Sequence, residues 1–438
     1  MSAAVARRVL LGAAGACGLL GHLVLTASPA AAHSVGGGSL PAPAWLLGYI
    51  GAFAVVLTAA TLHTAWPSAR AVAPPAAIDD AAGSDGPWVG QAIGLALLAA
   101  MLVAAVEGPD TGAANVAPVA VLVMWWVGLP ILCLLAGDVM RVVNPFAAVV
   151  RASDRLRRPK EGDRPAAPPW TAAAFLAAFA WFLLCYHRPG SPRGLGAFLA
   201  AYALAAVLGG LRWGRAWLQE GEGFAGLSAA VATLAPLPRR RALPAGVLPL
   251  VVVWLGSTGF DALSSTELWT DVRGTSAGWE RTLLDSVGLI WMIAVVAAVA
   301  LVVLRVAESR QPDLPRNALT VAVAAALVPL ALGWFVAHDL TFLLFEGQNF
   351  YALASDPLGR GWDLFGTIGY TIDYGLVQGE WVRWVQLAAL LVGHVAAVVL
   401  AHDAALARVS RRLALRTTWS VAAASAASIV VASLLVMG

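Results

Sequence analysis

The stretch VGLIWMIAVVAAVALVVL, residues 287–304, runs for eighteen residues without a single charge. An apolar run of that length is what an α-helix needs to cross about 30 Å of hydrocarbon at about 1.5 Å per residue. Similar runs recur from one end of the chain to the other. Of the 438 residues, 60% are hydrophobic and only 12% charged, where a soluble domain carries about 25% charged residues. This composition argues against a water-soluble enzyme and predicts an all-α chain, a polytopic transmembrane helical bundle with lipid as its main solvent. The net charge of +3 does not point to nucleic acid, because the basic residues fall in short blocks between apolar runs, which reads as topology.

Residues 1–32 read as a cleaved signal peptide. Arg7 and Arg8 precede an apolar run from Val9 to Leu25, and Ala30-Ala31-Ala32 supplies the small residues at which a signal peptidase cuts. Residues 33–438 then form one transmembrane domain. Ten spans are predicted, at 44–66, 88–106, 116–136, 170–186, 194–211, 245–260, 284–307, 317–340, 383–407 and 417–437. With the mature N-terminus outside, alternate loops divide the basic residues 20 inside to 6 outside, which favours a cell-membrane protein with both termini outside. The inner loops 137–169 and 212–244 are basic. In the second, Phe224, Leu227, Val231 and Leu234 sit at helical spacing and suggest a short helix on the inner surface. The outer loops 261–283 and 341–382 are long and rich in acids. Cys133 and Cys185 fall toward opposite ends of neighbouring spans, which argues against a disulfide.

No phosphate-binding Gly-rich loop, zinc helix or nucleophile elbow is present. Polar chemistry gathers instead in the outer loops. Asp261, in the segment Gly256-Ser257-Thr258-Gly259-Phe260-Asp261, reads either as part of an unwound cation-binding turn or as a helix cap. Cleavage leaves His33 with a free α-amine beside its imidazole, a chelating pair suited to copper. His338 and Asp339 at the outer end of the eighth span, with Asp356 and Asp363 in the following loop, can add nitrogen and oxygen ligands. His33, His338 and Asp261 are therefore the metal candidates, and His338, Asp339, Asp356 and Asp363 the catalytic ones. His394 falls near mid-membrane, as an intramembrane functional group or an interhelical hydrogen bond. It cannot share a metal with His402, eight residues or about 12 Å away along the helix. Asp138, Arg141 and Asn144-Pro145 read as structural, ending the third span and forming an ion pair.

Several of these residues carry a resemblance. His33 with Leu40-Pro41-Ala42-Pro43, Gly137-Asp138 with Arg141 and Asn144-Pro145, Phe260-Asp261, Phe345-Glu346-Gly347-Gln348, residues 354–366 and the segment from Gly393 to Asp403 together look like the polytopic actinobacterial membrane proteins labelled fenitrothion hydrolase. Phe146 stands where that family has Trp. The resemblance implies hydrolysis of an organophosphate triester, a small-molecule substrate, at a water activated by a divalent metal, copper or zinc. Two other functions stay open on the residues alone: a transporter with spans bent at Pro130, Pro249 and Pro329, and a copper-handling protein. The outward-facing site requires the mature N-terminus and the longest polar loop to share a compartment. Reporter fusions at residues 33 and 355 are expected to give the same sidedness; opposite sides would dissolve the outward-facing site.

Overall fold

A computed structural model describes residues 42–70, 86–157, 165–236, 243–244, 246–308 and 319–437. The expected signal peptide and cleavage site, and His33, lie outside these residues. Among them the chain is helical, with no strand. Eight helices are long and apolar enough to cross a membrane, and a ninth candidate is a pair, Val116–Trp125 and Gly128–Ala136, bent by 45°. Such helices suit a lipid bilayer, where a helix satisfies its own backbone hydrogen bonds. The segment expected to form a span at 170–186 is a helix of only 14 residues, Thr171–Leu184, about 21 Å long and short of the hydrocarbon thickness.

The helices in chain order are α1 (Ala44–Ala65), α2 (Trp88–Glu107), α3 (Val116–Trp125), α4 (Gly128–Ala136), α5 (Val139–Val143), α6 (Pro145–Arg157), α7 (Thr171–Leu184), α8 (Pro192–Trp213) and α9 (Gly223–Ala232). They continue with α10 (Val247–Ser264), α11 (Glu267–Arg273), α12 (Gly278–Glu308), α13 (Thr320–Phe345), α14 (Asn349–Ser355), α15 (Gly379–Leu406) and α16 (Arg411–Met437). Two compact units result, one of residues 1–76, 251–338 and 377–438, the other of residues 77–250 and 339–376; the division passes along α13 between His338 and Asp339.

In the first unit α16 packs on α1, α12 and α15. Small residues let these backbones approach closely, the usual device where lipid removes any hydrophobic drive between helices. Gly48 and Gly51 of α1 lie against Val430, Ser433 and Ile429 of α16. Between α13 and α15 the contact is backbone on backbone. A Cβ on Gly393 would lie 2.6 Å from the Pro329 carbonyl oxygen, and one on Gly333 2.6 Å from the Ala389 oxygen. Beside this contact Trp334 of α13 donates to Ser428 of α16 at 3.0 Å, and Ser428 meets His394 of α15 at 3.1 Å.

In the second unit α2 packs with α6 and α8, and α9 packs on α4 and α7. Short polar side chains close the helix ends that the apolar sequence leaves open. Asn115, fully buried, accepts from the Ala117 amide and donates to the carbonyls of Ala104 and Pro109. Asp138 caps α5 through the Arg141 amide, and Asn144 caps α6 through the Phe146 and Ala147 amides, as the structural reading of these residues expects. Gly137 ends α4 at φ 84, a left-handed conformation that glycine adopts without strain.

Three details differ from the expectations. α9 forms where the periodicity placed a helix, but all ten of its residues are buried: its Ala- and Gly-rich surface has no polar face to leave in water, so it belongs in the interior. The 256–265 segment does not unwind; α10 runs through it to Ser264. Pro249 and Pro329 do not break their helices. Pro249 sits in the first turn of α10, where its missing N–H is no loss, and α13 continues through Pro329. Of the three prolines only Pro130 adjoins a broken span. Cys133 and Cys185 are buried and not in a disulfide.

Gly393→Val is expected to destabilise the protein by about 1–3 kcal/mol, because the new side chain must displace a backbone carbonyl. Gly128→Ala, whose Cβ meets nothing within 4 Å, is expected to stay within about 0.5 kcal/mol of wild type. Thermal unfolding of both variants in detergent checks the contrast, and equal midpoints would remove the close helix contact from the stability argument.

Candidate functional site

Asp261 lies in the last turn of α10. The hydroxyls of Ser264 and Ser265 donate to its backbone carbonyl at 2.9 and 3.1 Å, so the end of the helix is tied off without its carboxylate. That carboxylate turns to His338 of α13, with Oδ2 3.2 Å from Nε2. The imidazole is 9% exposed and the carboxylate 26%, so the pair is sheltered without being sealed. Asp339, the next residue of the same helix, is buried. His338, Asp261 and Asp339 each offer one ligand atom, and these atoms all lie within 4.8 Å of one another. Two carboxylates beside one imidazole make a negative site with a nitrogen donor, a composition that attracts a divalent cation.

The segment after Asp261 is held by a residue the sequence reading passed over. Asp285, in α12, is buried and accepts from Trp269 Nε1 and Arg273 Nε, both at 2.8 Å, with Arg281 Nε at 3.5 Å from its other oxygen. Arg273 also donates to the Ser264 carbonyl at 3.0 Å. One guanidinium thus clamps the end of α10 to α11 and α12, three residues from Asp261. A buried acid is held in this way because an unpaired charge there costs several kcal/mol. In sequence Asp285 looks like one more interfacial charge, since nothing in its spacing announces that Trp269 and Arg273 reach it. On the other side, Gln386 of α15 donates to the Ala337 carbonyl at 2.7 Å, next to His338.

Asp356 and Asp363 organise their own loop. Asp356 accepts from the Arg360 and Gly361 amides at 2.8 and 2.7 Å. Asp363 accepts from Ser355 Oγ at 2.7 Å and from the Ile368 amide at 3.1 Å. A few residues away Gln348 accepts from the Tyr370 hydroxyl and the Asp373 amide, and donates to the Asp373 carbonyl. The long polar loop is therefore ordered by its own side chains. The metal-capable cluster among the described residues contains neither aspartate. The Ser355 hydroxyl and the Ile368 amide hold the Asp363 carboxyl below the usual aspartate value. At Asp356 desolvation pushes upward, and the amides of Arg360, Gly361, Trp362 and Gly359 outweigh it.

His394 and His402 are hydrogen-bonded within the bundle. His394, fully buried, contacts the Leu390 carbonyl at 2.7 Å and Ser428 at 3.1 Å. His402 contacts Thr418 at 2.7 Å and the Trp66 carbonyl at 3.0 Å, while Asp403 accepts from the Arg70 amide. These groups join helices. Glu222, also not singled out from the sequence, is buried at the start of α9 and accepts from Tyr202 and from the Phe224 and Ala225 amides.

Set against known protein families, curated proteins and solved structures, the chain matches none.

The loop carries a pH prediction. A carboxylate held below its unfolded pKa stabilises the folded loop at all pH values above the ordinary aspartate value of about 3.9 and loses that contribution as pH falls through the folded value. Hydrogen exchange at the Phe365 and Ile368 amides, corrected for intrinsic rate, is expected to be unchanged from about pH 8 to 5 and to quicken only below the ordinary aspartate range. Asp363→Asn is expected to expose the bond after Arg360 to trypsin at neutral pH. Unchanged cleavage in that variant would mean that the carboxylate does not order the loop.

Proposed function

We propose that this chain is a membrane-embedded, metal-dependent hydrolase of phosphotriester-like small molecules, with its site at Asp261, His338 and Asp339 on the outer face of the cell membrane. The observation that carries the reading is the convergence of one imidazole and two carboxylates from two long helices, the nitrogen and an oxygen 3.2 Å apart. The resemblance of its motifs to the proteins labelled fenitrothion hydrolase supports the reaction class. The arginine distribution supports the outward orientation.

The donor set fits a divalent ion. Zinc takes His nitrogen at about 2.0–2.1 Å and carboxylate oxygen at about 2.0–2.2 Å, and catalytic sites of this kind use three protein ligands and leave one position open. Imidazole with carboxylates suits zinc; the α-amine of His33, the donor that would favour copper, falls outside the described residues. A bound metal would supply a water acidic enough to attack at neutral pH and a positive charge for the phosphoryl oxygen. The chain's own contribution is positional. Asp261 and Asp339 offset the cation's charge, and the Asp261 oxygen already stands 3.2 Å from His338 Nε2, so the two donors are held together for the ion. The Arg273–Asp285 clamp holds the end of α10, so the carboxylate meets the imidazole without an ordering cost at each turnover.

Metal analysis of the detergent-purified protein tests this reading. About one equivalent of metal is expected in wild type and none in His338→Ala or Asp261→Asn, with nitrophenol release from a triester lowered more than about 100-fold, the upper end of what losing an outer partner of a metal ligand costs. Wild-type protein with neither metal nor turnover would pass the case to transport.

A further inference from the structure

Within the first unit, α10, α12, α13 and α16 line a half-open cavity of about 980 Å³. Its wall is almost wholly aliphatic. Along α16 the lining runs from Trp419 to Leu435, about 24 Å at the rise of an α-helix, most of the roughly 30 Å depth of a bilayer's hydrocarbon. Ala423 and Ala427, both exposed, line it on α16, so the wall carries no bulk on that side. A slot of this length and composition matches hydrocarbon chains, not a compact polar solute.

Two further features say what kind of molecule the chains belong to. Positions 412, 416 and 420 of α16 share one helix face, so Arg412 and Arg416 lie directly beyond the Ser420 end of the cavity. On α12, Arg305 adjoins the lining residue Val306, its side chain more than half exposed and 3.6 Å from Glu308. Among the described residues, Arg305, Arg412 and Arg416 bring three guanidinium groups toward this end, with Glu308 beside Arg305. Inside, Trp334 and Ser428 are bonded to each other, but the buried Ser425 hydroxyl lines the cavity and has no hydrogen-bond partner among the described residues. That hydroxyl is a donor awaiting an acceptor from an occupant.

We propose that the cavity is a binding site for one anionic phospholipid, its phosphate beside Arg412, Arg416 and Arg305, an ester oxygen accepting from Ser425, and its acyl chains running toward Trp334 and Met292. Polybasic helix ends attract anionic headgroups, and the apolar wall supplies the complementary surface for the chains. This binding does not depend on the metal chemistry proposed above.

Native mass spectrometry of the full chain in detergent, offered phosphatidylglycerol or phosphatidylcholine with the same acyl chains, tests the proposal. Wild type is expected to retain one phosphatidylglycerol about tenfold more strongly than phosphatidylcholine. The Arg412→Gln, Arg416→Gln double variant is expected to lose that preference, and Ala427→Trp to lose both lipids. A benzophenone amino acid at position 299, on the α12 wall, should cross-link to lipid. Equal retention of the two lipids by wild type, with both variants unchanged, would reduce the binding to annular lipid and overturn the site. A cross-link to a second copy or to another segment of the chain would overturn it equally. If Ala427→Trp does not fold, the arginine variant and the cross-link still decide.

Discussion

The contact between Gly333 and Gly393 is the constraint on which the first unit depends. A helix pair in an apolar medium gains nothing from hiding grease, so α13 and α15 must gain from touching closely, and they touch at backbone distance. The next residue of α13, Trp334, then reaches Ser428, and the residue after Gly393 is the histidine that shares that hydroxyl. About one turn further along α13 stands His338, facing Asp261. A bulkier residue at either glycine would move the imidazole along with the helix that carries it.

The helices were legible because hydrocarbon imposes a length and a composition that no other fold shares. The apolar run at 287–304 lies well inside a helix of 31 residues. The misreadings share a cause. Apolar runs show that a segment is buried but not by what: protein and lipid ask for the same residues. Hence α9, taken for a surface helix, lies wholly inside, and the run at 170–186, taken for a span, is a helix of 14 residues.

Of the site, the sequence showed the members and not the meeting. Asp261, His338 and Asp339 were each conspicuous as polar residues at an apolar exit, but Asp261 and His338 are 77 positions apart and no spacing rule connects them. Asp356 and Asp363 were equally conspicuous, and here the local hydrogen bonds that occupy them depend on turns whose geometry emerges only on folding. Asp285 escaped notice for the converse reason. It lies at the rim of a long apolar run, where an acid looks incidental, and its importance comes from Trp269 and Arg273 folding back upon it.

The group around Ser428 has a direction. The Trp334 indole can only donate, and the Leu390 carbonyl can only accept. A neutral His394 ring must therefore carry its hydrogen on Nδ1 and present Nε2 as a lone pair, which the Ser428 hydroxyl fills. The bonds point one way, from indole to hydroxyl to imidazole to carbonyl, across three helices. Such an array is a polarised strut. It lends the bundle an internal dipole and, with both ends fixed, cannot reverse its sense to hand a proton along.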